Sequence, residues 1–95
     1  MFLVDVAMTI KPMALEALKK TYVETFRPAI TRQEGFRDVR LLRPIEGGDD
    51  YRLHIAFDSH ALQQKWVAMD LHQDVWSQME GHFAEYTVKL YNTVE

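Results

Sequence analysis

Residues 2–10, FLVDVAMTI, alternate with the two-residue period of a β-strand. Phe2, Val4, Val6, Met8 and Ile10 fall on one face, and Leu3, Asp5, Ala7 and Thr9 on the other. Both faces are mostly apolar, which predicts a central strand covered on each side. The period then changes. Leu15, Leu18, Tyr22, Phe26 and Ile30 recur at helical spacing and mark one apolar helix face. Pro12 suits the first turn of that helix. Pro28 predicts a kink, or the end of the regular part, near Phe26. Gly35 stands where a C-terminal cap is needed. FRDVRLLR (36–43) and YRLHIAF (51–57) read as two strands, joined as a hairpin by the turn-forming run Pro44 to Asp50. Asp58 or Ser59 caps the next helix, which runs to about Met69 with Leu62, Trp66 and Met69 on one side. Asp70 caps a further short helix that carries Leu71, Val75, Trp76 and Met79 and ends at Gly81. FAEYTVKLYNTV alternates again as a last strand.

The order β-α-β-β-α-α-β is the split βαβ arrangement called ferredoxin-like, an α+β fold on an antiparallel sheet, with its second helix in two pieces. Helices on one side leave the other sheet face bare. If they cover Leu3, Asp5 and Ala7, the bare face carries Phe2, Val4, Val6 and Met8; the opposite parity exchanges the two sets. Either choice leaves an apolar face too large for a monomer to expose. A homodimer, sheet against sheet, is therefore expected.

The chain has 95 residues, 47% hydrophobic and 26% charged, which fits one globular domain, 1–95, and excludes two cores. Eleven Lys+Arg against fourteen Asp+Glu give a formal charge of −3, which argues against a general nucleic-acid binder. The absence of cysteine removes disulfides, thiolate nucleophiles and thiolate metal ligands. MFLVDVAMTI has no basic leading segment and an aspartate inside its apolar run, so it does not read as a signal peptide. No run approaches the ~20 apolar residues of a membrane span. A cytoplasmic domain without membrane attachment is expected.

Chemistry must come from few residues. His54, His60, His72 and His82 form no metal-ligand spacing, and no glycine-rich phosphate cradle or nucleophile elbow is present. No resident metal, flavin or nucleotide cofactor is expected. His72 and Trp76 share a face of the short helix, and Trp66 lies near the end of the one before it. Together they are placed to wall a pocket for a planar aromatic ligand; the plainer alternative makes both tryptophans core. Asp5 is the most informative polar residue, because a carboxylate in an apolar strand needs a partner or a cavity. Either it faces the pocket, or it pairs with an arginine such as Arg40 or Arg52.

Gly35-Phe36, Leu41-Leu42-Arg43-Pro44, Tyr51 opening a strand that closes on Phe57-Asp58-Ser59, and Lys65-Trp66-Val67-Ala68-Met69-Asp70-Leu71-His72 recur here in a familiar order. In that order and spacing, over nearly its whole length, the chain resembles the antibiotic biosynthesis monooxygenase family. The resemblance implies a dimeric α+β barrel. It also implies, as the leading function, a cofactor-independent monooxygenase that oxidises a small phenol or quinol with O₂, with Trp66 as the pocket tryptophan. In the catalytic roles stand His72 as base, Asp5 orienting it or binding a substrate hydroxyl, and Trp66. Trp76, Tyr22 and Phe26 are placed as substrate-binding residues. Alternatives within the fold are haem binding or degradation, isomerase chemistry on a small metabolite, and a non-catalytic ligand-binding domain. The haem degraders' first-strand asparagine falls at Asp5 and their axial histidine at Trp76, one turn beyond His72.

Overall fold

The computed structural model describes residues 1–95. Four strands, β1 (Phe2–Ile10), β2 (Phe36–Leu42), β3 (Tyr51–Phe57) and β4 (Phe83–Asn92), form one sheet in the order β2-β3-β1-β4. Every neighbouring pair is antiparallel. The helices are α1 (Leu15–Thr21), α2 (Arg27–Ile30), α3 (His60–Val67) and α4 (Asp70–Glu80). This is the ferredoxin-like α+β arrangement read from the sequence, with β1 central as its two apolar faces require.

The pleat of β1 decides which face meets the helices. Phe2, Val4, Val6 and Met8 are all buried, and they join Leu18, Phe26, Ile30, Trp66, Val75 and Met79 in one core. The helices therefore cover the even-numbered face, and the bare face carries Leu3, Asp5, Ala7 and Thr9. That face is less apolar than expected. Its cross-strand neighbours include Arg52 and His54 on β3 and Thr87, Lys89 and Tyr91 on β4. The bulkiest β-branched and aromatic residues of β1 go under the helices, where they bury most area.

Two local departures follow from proline. The first helix begins at Leu15, and Pro12 lies in the preceding turn, where Met13 takes a left-handed φ of 62°. Further on, Tyr22–Phe26 widens into a π-helical turn before α2. Pro28 has no N–H to donate and crowds the carbonyl one turn back. The wider turn absorbs that defect, and Pro28 falls in the first turn of α2, where a missing donor costs little. Leu18, Tyr22, Phe26 and Ile30 stay buried throughout.

Candidate functional site

The break between α3 and α4 sets the site. Ser59 caps α3, its Oγ accepting from the Leu62 N–H at 3.2 Å. After Val67 the chain turns through Ala68 into an extended Met69 (φ −78°, ψ 144°), the N-cap of α4. Met69 N–H donates to the Trp66 carbonyl, and His72 N–H to the Met69 carbonyl, both at 3.1 Å. This tight corner brings Trp66 and His72 together from different helices, with ring centroids 5.1 Å apart and planes at 89°. One turn later Trp76 stacks near-parallel to His72, at 6.3 Å and 13°. Phe26 closes the row against Trp76 at 5.9 Å.

These rings line a cavity of about 530 Å³ between α3, α4 and the helix-side face of β1, β3 and β4. Its size falls in the range of small-molecule sites. No Asp, Glu, Lys or Arg lines it. Its polar groups are His72, His60, Gln63 and Gln64. The open side is β4, where Val88 and Leu90 point toward the helices but remain about half exposed because no helix reaches that edge.

Of the residues singled out in the sequence, His72, Trp66, Trp76 and Phe26 meet in this cavity. Tyr22 does not. Its ring is buried in the core, and its hydroxyl donates to the Val39 carbonyl at 3.2 Å. Burial pushes that hydroxyl's pKa up, against the opposing pull of Arg27, so Tyr22 is a neutral structural donor.

Asp5 lies on the opposite face of the sheet and cannot orient His72 or touch a ligand beside it. Strand parity is the reason: every odd residue of β1 points away from the helices. Asp5 pairs with Arg52 Nη1 at 2.8 Å, and its Oδ1 stands 3.1 Å from His54 Nε2 without hydrogen-bond alignment. Arg52, not Arg40, is therefore the partner, and Arg40 pairs with Asp38 at 2.8 Å. Arg52 also holds Asp50 at 2.9 Å and stays in contact with water. Removing the Asp5 charge would therefore not strand a buried guanidinium. Asp5→Asn is expected to lower the melting temperature by a few degrees at most, since such partly exposed pairs contribute little. A fall of ten degrees or more in a thermal melt would contradict this placement.

Sequence reasoning missed the polar stripe of α3. His60, Gln63 and Gln64 share one helix face and line the cavity mouth, with the His60 ring stacked on Phe2 at 4.5 Å. The available signal was the placing of two glutamines one turn before Val67 and Trp66, where an amphipathic helix would carry apolar residues. It also missed Tyr86, Val88 and Leu90, whose alternation on β4 faces the cavity.

His72 Nδ1 is sealed from solvent and has no hydrogen-bond partner, whereas Nε2 is not sealed and makes no hydrogen bond to the protein. Burial lowers the pKa of this ring, with Glu80 pulling weakly the other way. The ring is therefore neutral at physiological pH.

A profile built from antibiotic biosynthesis monooxygenases matches residues 1–86. The chain belongs to the antibiotic biosynthesis monooxygenase family. Solved structures agree in fold at low identity. SnoaB, a cofactor-independent oxygenase from Streptomyces nogalater, superposes in variant form with a TM-score of 0.85 at 15% identity, over 99% of this chain and 93% of that one. A candidate antibiotic biosynthesis monooxygenase from Nitrosomonas europaea gives 0.82 at 16%, over the whole of both chains. Rv0793 from Mycobacterium tuberculosis gives 0.80 at 16%, over 99% of this chain and 95% of that one. No curated protein matches in sequence. No helix of this family member is long and apolar enough to cross a membrane.

Proposed function

We propose that this protein is a monooxygenase that uses O₂ to oxidise a small electron-rich phenol or quinol, without a resident metal or flavin. The observation that carries the reading is the uncharged, aromatic-walled cavity with a neutral His72 in its wall. The ring of the substrate lies against Trp66, Trp76 and Phe26, and its oxygen meets His72. Family membership and the oxygenase named among the structural neighbours support the same chemistry.

The reaction needs no external electron source. A phenolate passes one electron to O₂, and the resulting radicals combine at a ring carbon that carries hydrogen. Loss of water from that adduct leaves a carbonyl. One oxygen atom ends in the quinone and the other in water, so the two hydrogens removed balance the O₂ consumed. The protein's part is to hold the ring, exclude bulk water from it and stabilise the charged oxygen. An oxygen electrode with a panel of naphthols and naphthoquinols tests this. Uptake above the autoxidation rate, with one quinone formed per O₂ consumed, is expected. Uptake no faster than autoxidation across the panel would sink the proposal.

The working unit in this proposal is a homodimer joined through the helix-free face. Leu3, Ala7, Ala56, Leu42 and Tyr91 give that face apolar patches, and Asp5, Asp38, Arg40, Arg52 and Lys89 give it both signs of charge. A stable interface of this kind buries about 2,000 Å² or more. Light scattering should report twice the chain mass at micromolar protein, and a clean monomer there would overturn the dimer.

A further inference from the structure

We propose that His72 meets its ligand as a neutral hydrogen-bond donor through Nε2–H, stabilising a phenolate oxygen rather than removing the phenol's proton. The inference deepens the proposed function and rests on it for the identity of the ligand. Its basis is the unequal surroundings of the two ring nitrogens.

A neutral imidazole carries one N–H and one lone pair. Nδ1 is sealed without a partner, while Nε2 is not sealed, on a ring that lines the cavity. Placing the hydrogen on Nδ1 would bury a donor with no acceptor, the rarer and more costly kind of orphan. The Nε2–H form leaves only a lone pair on the sealed side and presents the donor to the cavity. Taking up a proton would put N–H on both nitrogens and so force the orphan donor to exist, now on a cation.

A histidine that acts as general base is normally held by an acceptor on its far nitrogen. No such group is within reach here. Asp5 is on the other face of the sheet, Glu80 is two turns along α4 and accepts from the Tyr86 hydroxyl at 3.0 Å, and no carboxylate lines the cavity. His60, the other histidine of the lining, stacks on Phe2 at the mouth, and the phenol of Tyr86, also in the lining, commits its hydroxyl to Glu80. The burial that keeps His72 neutral makes it a poor base and leaves its donor intact. In this scheme the phenol ionises to water at the open β4 side as it enters, before its ring is seated and bulk water is excluded. The phenolate oxygen then accepts from Nε2–H, and the electron passes to O₂.

Two measurements decide the matter. Ring-nitrogen NMR of the free protein should show the Nε2–H tautomer for His72 at neutral pH; an Nδ1–H tautomer or an imidazolium would overturn the inference. This reading needs no turnover, so it decides the tautomer even if no phenol proves to be a substrate, a result that would count against the proposed function instead. In turnover, the acidic limb of the pH–rate profile should move with the acidity of the phenol across a naphthol series. A limb fixed at one pH for all substrates would mean an ionising group on the protein and would overturn the donor role. His72→Gln, which keeps a donor near Nε2 but cannot act as a base, should retain activity to within about tenfold, whereas His72→Leu should lose about a hundredfold or more. If the glutamine variant falls as far as the leucine variant, the donor role is wrong.

Discussion

Trp66→Ala is expected to destabilise the protein by about 3–5 kcal/mol, the usual cost of truncating a buried large aromatic. Trp66 is only 3% exposed and belongs to the core as well as to the cavity wall. Both readings of this residue, as core and as pocket wall, therefore hold at once. In a domain of this size ~1 kcal/mol moves the melting temperature by roughly 4–8 °C, so the variant should melt well over ten degrees below wild type. Trp76 provides the contrast. It is half-buried beside the open β4 side, so Trp76→Ala should lose less stability while still losing the ring against which a ligand stacks. Paired thermal melts check this. If Trp66→Ala melts no lower than Trp76→Ala, the account of the α3–α4 corner fails.

Gly35→Ala should be nearly as damaging, for a different reason. Gly35 has a φ of 80°, and a Cβ built on it would stand 2.5 Å from Leu62 Cδ1. The left-handed backbone costs a side chain about 1–2 kcal/mol, and crowding a packed contact adds about 1–3 kcal/mol. Gly47→Ala isolates the first of these costs, because Gly47 has a φ of 81° with nothing within 4 Å. Gly35→Ala should therefore melt clearly lower than Gly47→Ala. Equal melts would mean that Leu62 is not seated on Gly35. That seat matters for the site, since Leu62 fixes the start of α3 and with it the approach of Trp66 to the sheet.

The fold was legible because its periods are clean. FLVDVAMTI alternates, the Leu18–Ile30 stripe keeps helical spacing, and the glycine-rich turn marks the hairpin. Parity was harder to read. Leu3 and Ala7 are apolar enough to face a core, so the two faces differ only by the bulk of Phe2, Val4, Val6 and Met8 on one and by Asp5 and Thr9 on the other. Asp5 could be read either as a solvent-side residue or as a pocket residue. Asp5 was misplaced for that reason: placing its side chain toward the pocket required the helices to sit over the odd positions. The His72–Trp76 pair was legible because one helix sets it. Trp66 joins them through the corner at Met69, where Asp70 signalled a new helix; the N-cap is Met69 itself, extended and without a side-chain cap, and Asp70 is the first helical residue. Tyr22 shared the apolar stripe with Phe26, and spacing alone does not separate a residue whose hydroxyl turns to Val39 from one that reaches the cavity. The β4 contribution was hidden for a similar reason. Val88 and Leu90 look like ordinary strand residues until the short reach of α3 and α4 leaves them uncovered.

The central claim is that the groove between the α3–α4 corner and the sheet, not the charged sheet face, receives an aromatic ligand. Titration with naphthoquinone, followed by NMR at the indole N–H signals of Trp66 and Trp76, tests it most directly. Both signals should shift saturably with one dissociation constant, together with the His72 ring, while the Arg52 and His54 signals stay in place. Shifts confined to Arg52, His54 and Lys89, with both indoles unmoved, would contradict it.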